Sequence, residues 1–207
     1  LSDGINVFIG PNGVGKTHLL KILYSACCAA DPKVSFPNKI VSCFAPDEHR
    51  ISRLVRRKQG NNDASIHITS KNEKSSKVLS ASFSNKTSKW DAEVAGEEGW
   101  EKQREGLSSV FIPAKEILSH SYNLNAAVAM NNVSFDDTYL DVINAAKIMI
   151  SSGKDAAIKK TLLSQIEAII EGKVFFDKER DEFYLKHGST KIEFNLVAEG
   201  IRKIALL

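Results

Sequence analysis

Gly10-Pro11-Asn12-Gly13-Val14-Gly15-Lys16-Thr17 brings three glycines, a lysine and a hydroxyl into eight consecutive residues. Those types at that spacing suit one chemistry, the grip of a polyanion. Glycines at 10, 13 and 15 let the chain curl until its N–H groups converge on a concave anion site, which side chains bearing a Cβ would crowd. A helix opening near Lys16 adds unpaired N–H groups and the positive end of its dipole. Lys16 would reach the β- and γ-phosphates of a nucleotide and is the candidate catalytic residue; the Thr17 hydroxyl would take one position on Mg²⁺. Asn12, Val14 and His18 complete the candidate binding set, His18 as a polar neighbour of the cradle rather than a catalyst.

Such a cradle needs a strand before it and a helix after it, since these aim the loop and supply its free amides. The run Ile5-Asn6-Val7-Phe8-Ile9 reads as a short buried strand. Beyond the loop, Leu19, Ile22, Leu23 and Ala26 form one helical stripe, closed by Asp31-Pro32. Residues and context together match G-x-x-x-x-G-K-[ST] completely; the alternative is a chance glycine turn.

Pro11-Asn12-Gly13 narrows the type. The loop resembles that of ATP-binding cassette ATPases, including the SMC, RecF and OLD-like branches. A second stretch, Leu196-Val197-Ala198-Glu199-Gly200-Ile201-Arg202-Lys203, lies where those ATPases carry a signature motif, usually Leu-Ser-Gly-Gly-Gln, opening a helix that faces the γ-phosphate held by a partner subunit. It resembles the variant of stand-alone bacterial ATPases of the RecF/OLD-like group, which are frequent in anti-phage defence, the Septu type among them. The resemblance implies ATP and Mg²⁺ as cofactors and Ala198, Glu199 and Gly200 as residues that touch the nucleotide across a dimer. Ala198 replaces the usual serine and Glu199 a glycine, so only Gly200 matches strictly. Read alone, the stretch is equally a plain helix cap.

Ser109-Val110-Phe111-Ile112-Pro113 reads as another core strand, placed where such ATPases have a metal-sensing glutamine. No glutamine is there; Lys115 or Glu116 is the substitute, or else an ordinary surface pair. After the signature, cassette ATPases have a strand ending in Asp-Glu, which holds Mg²⁺ and activates water. The chain stops before such a strand and is expected to be a fragment that binds ATP but hydrolyses it poorly by itself.

The resemblance implies an α/β P-loop NTPase fold, a cassette-type head with an antiparallel β lobe and a helical subdomain, spanning 1–207. Its parts are expected at 1–45 (strand, loop, helix and a following strand at Ile40 to Phe44), 46–107 (antiparallel lobe and polar loop), 108–172 (core strand and helices) and 173–207 (meander and signature helix). In the lobe, Ala64 to Ile68 and Val78 to Phe83 alternate with period two. Asn85 to Gly106 is polar and reads as exposed, with Trp90 and Trp100 as possible pins. Tyr139 to Met149 and Asp155 to Glu171 read as helices, the second through Ile158, Leu162, Ile166, Ile169 and Ile170. Val174 to Phe176, Phe183 to Leu185 and Ile192 to Phe194 form a meander leading to a helix that starts near Ala198.

Composition fits this picture. The chain of 207 residues is 43% apolar, carries a formal charge of +3 and has three cysteines without metal-ligand spacing, which suits a reduced cytoplasmic protein. No run approaches the roughly 20 apolar residues of a membrane span. The segment Glu48 to Lys58 reads as a short amphipathic helix with Ile51, Leu54 and Val55 inward and Arg50, Arg53 and Arg57 outward, either a nucleic-acid contact or a solvated face. Glu97-Glu98, Asp136-Asp137 and the histidines show no ligand spacing.

The expected function is an ATPase head that dimerises, or forms a larger homo-oligomer, around Mg-ATP. The setting is DNA repair or antiviral defence, with an effector nuclease and DNA or RNA as possible partners and no membrane. Two other readings stand beside it: an ATP-gated scaffold with little turnover, and a small-molecule P-loop kinase.

Overall fold

The computed structural model describes residues 1, 4–71, 75–130, 135–148 and 156–205. They form two units, Leu1–Ser109 and Val110–Leu207, each with its own core. In the first, helix α1 (Lys16–Cys28) follows the glycine loop directly and packs on helix α2 (Phe36–Phe44). The second helix stands where period-two alternation pointed to a strand at Ile40 to Phe44. Pro37 at the helix start and the spacing of Phe36, Ile40 and Val41, all buried, favour the helical face instead.

Strands β1 (Asp63–Lys71), β2 (Ser76–Ser84) and β3 (Glu93–Ala95) make an antiparallel sheet in the order β1-β2-β3, with Ile66 opposite Ala81 and Ala81 opposite Val94. Alternation along β2 turns Leu79, Ala81 and Phe83 inward, where Leu79 and Ala81 meet Ala26, Phe36, Ile40 and Trp100. The polar stretch 85–106 is more ordered than its composition indicates, for it holds β3 and helix α3 (Glu97–Arg104). Trp100 explains the order. It is buried, and its indole N–H donates to the Ala26 carbonyl of α1 at 2.8 Å, tying a charged helix to the element behind the cradle.

Segment 48–58 is not an amphipathic α-helix. Two 3-10 turns, Asp47–His49 and Ile51–Leu54, replace it, because Glu48 and His49 hold left-handed φ of 56° and 51° and Arg50 is extended. The inward residues are nonetheless those expected: Ile51 and Val55 are buried and Leu54 packs beside them. Two expected strands are also corrected. Ile5 to Ile9 forms no strand and pairs with no described strand, and Ile5 and Ile9 are 92% and 91% exposed. Ser109 to Ile112 likewise has no ladder, with Val110 and Ile112 exposed. A strand is completed by a neighbour, and an apolar run does not encode where that neighbour lies.

The second unit gathers helices α4 (Leu124–Ala129), α5 (Asp137–Lys147) and α6 (Ala156–Ile169) with an antiparallel sheet of β4 (Lys173–Asp177), β5 (Glu182–His187) and β6 (Thr190–Glu193), in the order β4-β5-β6. Asp136 caps α5 by accepting from the Thr138 amide, which gives one of the acidic pairs a structural role. Phe183 and Leu185 of β5 join Ile117, Leu118, Ile143, Ile170 and Phe194 in the core. Along α6 the expected stripe divides: Ile166 packs against this core, whereas Leu162 and Ile169 are exposed. The Ile158 side chain, like Met149 and Asp155, lies outside the described residues. Helix α7 (Glu199–Ile204) follows a 3-10 turn at Phe194–Leu196.

Candidate functional site

The glycine loop, 10–15, leads into the N-terminus of α1 with Gly15 as the cap residue, at φ 93° and ψ 13°. Gly13 has φ 85°. Both values lie in the left-handed region that a side chain makes costly, and at both positions a Cβ would meet nothing within 4 Å. Within the chain itself the glycines at 13 and 15 are required by torsion, and the space a Cβ would occupy there is open. At Gly10 a Cβ would lie 3.3 Å from the Val14 side chain, so some crowding applies there.

This curl keeps amides available. The first backbone bond of the helix is Leu19 N–H to the Gly15 carbonyl at 2.9 Å, and among the described residues no backbone carbonyl takes the amides of Gly13, Gly15 or Thr17. Lys16 folds back over the loop, its ammonium donating to the carbonyls of Gly10 and Pro11 at 2.7 Å each. The ammonium is therefore held at the mouth of the curl, among donors that suit a polyphosphate. Asn12 and Val14 lie on the exposed rim, and Thr17 is exposed in the first helical turn. His18 packs against Phe44 with ring centroids 5.1 Å apart and planes tilted by 49°, which holds the imidazole against the end of α2. Lys21, one turn on, donates to the Cys43 carbonyl at 2.7 Å and braces α1 against the end of α2.

Whether these residues fit Mg²⁺ can be judged from the donor set. No group of three or more His, Cys, Asp or Glu able to hold a metal occurs among the described residues. Thr17 would offer one oxygen, leaving the others to phosphates and water, in keeping with the preference of Mg²⁺ for substrate phosphates over an all-protein cage. Cys27 has its thiol pushed above the ordinary range, chiefly by burial and then by Cys28, which leaves it a weak ligand near neutral pH.

The second candidate stretch lies in the other unit. Ala198 is the cap residue of α7 and makes no side-chain cap bond, while Gly200 has open space around its Cβ position. Glu199 pairs with Lys203 at 2.8 Å, and that hydrogen bond holds its carboxyl below the ordinary range. Glu116, read as half of a surface pair with Lys115, is buried. Its carboxylate accepts from the Ser119 amide at 2.9 Å and the Ser119 hydroxyl at 2.7 Å, and lies 3.5 Å from Arg202 Nε. Lys115 is exposed. The Glu116–Arg202 contact is not legible in the sequence, because 86 positions separate the pair and nothing in either stretch names the other as its partner. The same unit bears an open apolar groove of about 820 Å³ between α6 and β4, lined by Leu162, Ile166, Val174 and Phe175 among others.

A glycine curl of this geometry at the start of a helix, closed by a lysine, has the form that P-loop nucleotide-binding domains use. Over residues 5–196 the chain matches the family described as "AAA domain, putative AbiEii toxin, Type IV TA system", and it belongs to that family of nucleotide-binding AAA domains. No curated protein and no solved structure matches it. Among the described residues no helix is long and apolar enough to cross a membrane.

Proposed function

We propose that the chain is the ATP-binding head of a cassette-type ATPase. The observation that carries the reading is the Lys16 ammonium seated over the loop carbonyls, beside amides that no backbone group takes. In this reading the curl at 10–15 and the amino end of α1 hold the phosphates, and Lys16 exchanges carbonyl contacts for the β- and γ-phosphate oxygens. As the terminal phosphoryl group leaves, the same ammonium stabilises the charge that develops on it. Thr17 would contribute its hydroxyl to Mg²⁺, which when bound neutralises phosphate charge. Asn12, Val14 and His18 line the approach.

Two such heads close around Mg-ATP, with Ala198, Glu199 and Gly200 of one at the cradle of the other, and hydrolysis reopens the pair. A cytoplasmic machine for DNA repair or phage defence, working with an effector nuclease, suits this cycle. The family's description as a putative toxin of a type IV system supports the defence setting and gives some weight to the second reading, an ATP-gated scaffold with slow turnover.

Titration with a fluorescent ATP analogue and Mg²⁺ tests the cradle. Saturable binding by the wild type and at least about tenfold weaker binding by Lys16→Ala are expected, since one charged contact contributes on the order of 1.5–3 kcal/mol. Equal affinities would overturn the proposal. The dimer has its own test, because a side chain at position 200 meets nothing within the unit. Gly200→Asp should abolish ATP-dependent dimers in light scattering while the monomer binds ATP normally; dimers that persist remove the trans contact.

A further inference from the structure

The first unit carries a cationic groove that the nucleotide cradle does not use. It has a volume of about 460 Å³ and is lined by Arg50, Arg53, Arg56, Arg57 and Lys58 together with Asn85. From Arg50 to Lys58 the sequence contains no acid. Two of the guanidinium groups have partners, Arg50 with Glu48 at 2.9 Å and Arg53 with Asp47 at 3.0 Å, both pairs well exposed and therefore weak. Among the described residues Arg56, Arg57 and Lys58 have no carboxylate partner, and all three are exposed.

The groove is built, not a frayed loop. Ile51 and Val55 are buried and anchor the segment; the chain leaves the 3-10 turn with Val55 extended, and Arg56 to Lys58 are exposed. The Lys58 carbonyl is held by the Asn62 side chain at 2.9 Å, and Asn85 ties the same turn through its bond to the Gly60 carbonyl at 2.8 Å. Cations crowded at this density repel one another, and a line of phosphates removes that repulsion while releasing counterions.

A neighbouring aromatic decides which polyanion. The Ile51 amide donates to the Lys89 carbonyl at 2.6 Å, so the cationic segment is joined to the loop that carries Trp90. Unlike buried Trp100, Trp90 is 41% exposed, and the Lys89 ammonium stands 5.6 Å from its ring centroid. A charged groove joined through a backbone hydrogen bond to a loop with an exposed indole suits single strands, phosphates along the cations and a base on the ring. Duplex bases are stacked internally and offer no face to such a ring.

We infer that this groove binds single-stranded nucleic acid, with Arg56, Arg57 and Lys58 on the phosphodiester backbone and Trp90 stacking a base. The test is anisotropy with fluorescein-labelled dT20 and with a 20-base-pair duplex, in the absence of nucleotide, across a salt series. The single strand binds more tightly than the duplex, and inorganic tripolyphosphate competes only weakly. Replacing Arg56, Arg57 and Lys58 together by Glu lowers affinity more than tenfold and flattens the log–log salt slope by about 2. Trp90→Ala lowers affinity by about 5- to 100-fold at an unchanged slope, and Trp90→Phe restores most of it. Thermal melting of each variant shows that the fold persists. No binding by the wild type, equal or tighter duplex binding, full competition by tripolyphosphate, or indifference to either substitution overturns the inference. Lys16→Ala binds the strand as the wild type does, which separates this site from the cradle.

Discussion

Arg202 Nε lies 3.5 Å from the Glu116 carboxylate, and both side chains are largely out of solvent, 18% and 4% exposed. Glu116 is satisfied by Ser119, whereas Arg202 Nε has this ion contact but no well-formed hydrogen bond. The pair fastens α7, the helix that carries Gly200, to the turn after Pro113. Removing one partner strands a buried charge, so Glu116→Ala or Arg202→Ala should each destabilise the unit by about 3 kcal/mol. Glu116→Gln keeps an acceptor for the Ser119 amide and should cost less. Urea unfolding of both single variants and the double variant checks it: the double should lose little more than either single, and strictly additive losses would rule out the coupling.

Trp100 lends itself to a separation of packing from hydrogen bonding. Its buried ring fills the space between α1 and the first sheet, and its N–H serves the Ala26 carbonyl. Trp100→Phe keeps most of the apolar volume but leaves that carbonyl unpaired, at about 1–3 kcal/mol. Trp100→Ala adds a cavity and should lose about 3–5 kcal/mol. Equilibrium unfolding followed by circular dichroism ranks the two, and equal losses would mean that the hydrogen bond carries the whole contribution.

These residues also show what a linear reading can reach. The cradle was legible because its demands are local: glycine where φ is near 90°, a lysine long enough to fold back, and a helix directly behind. The meander was legible for the same reason, since β4, β5 and β6 join through short turns. Ile40 to Phe44 misled because a short apolar run fits either period until Phe36 and Pro37 are taken as its start. The ladders expected at Ile5 to Ile9 and Ser109 to Ile112 depend on distant neighbours, and so does the burial of Glu116. Segment 48–58 gave its inward residues correctly and its backbone incorrectly, because burial follows side-chain type while Glu48 and His49 turn left-handed without glycine to announce it.

Gly15 and Gly96 share a backbone conformation, φ 93° and 90°, but not a surrounding. A Cβ at Gly15 would enter open space, while one at Gly96 would come within 1.8 Å of the Val78 carbonyl oxygen, a backbone atom that cannot swing aside. Gly15→Ala should therefore cost only the torsional penalty of about 1–2 kcal/mol. Gly96→Ala should cost clearly more and release β2 from the start of α3. Melting temperatures of the two variants make the comparison. Nucleotide titration adds a second contrast, with Gly15→Ala weakening ATP binding well beyond its effect on stability. A smaller loss at Gly96 than at Gly15 would contradict this geometry.

Asp177 closes the turn between β4 and β5, accepting from the amides of Glu179 and Arg180 at 3.1 and 3.3 Å, and its other oxygen accepts from Lys191 of β6 at 2.9 Å. The Lys191 hydrogen bond, the largest influence, holds the carboxyl below its ordinary 3.8. A carboxyl depressed in the folded state contributes stability that is complete above the unfolded value and disappears as pH falls through the folded one. The contribution should therefore be constant at neutral pH, begin to decline near about pH 5 and be lost below 3.8. Asp177→Asn retains an oxygen for the turn amides and removes only the charge opposite Lys191. Urea midpoints should separate wild type and variant at pH 6.5 and converge toward pH 3. A separation that stays the same across that range would show that Asp177 acts through its shape in the turn and not through its charge.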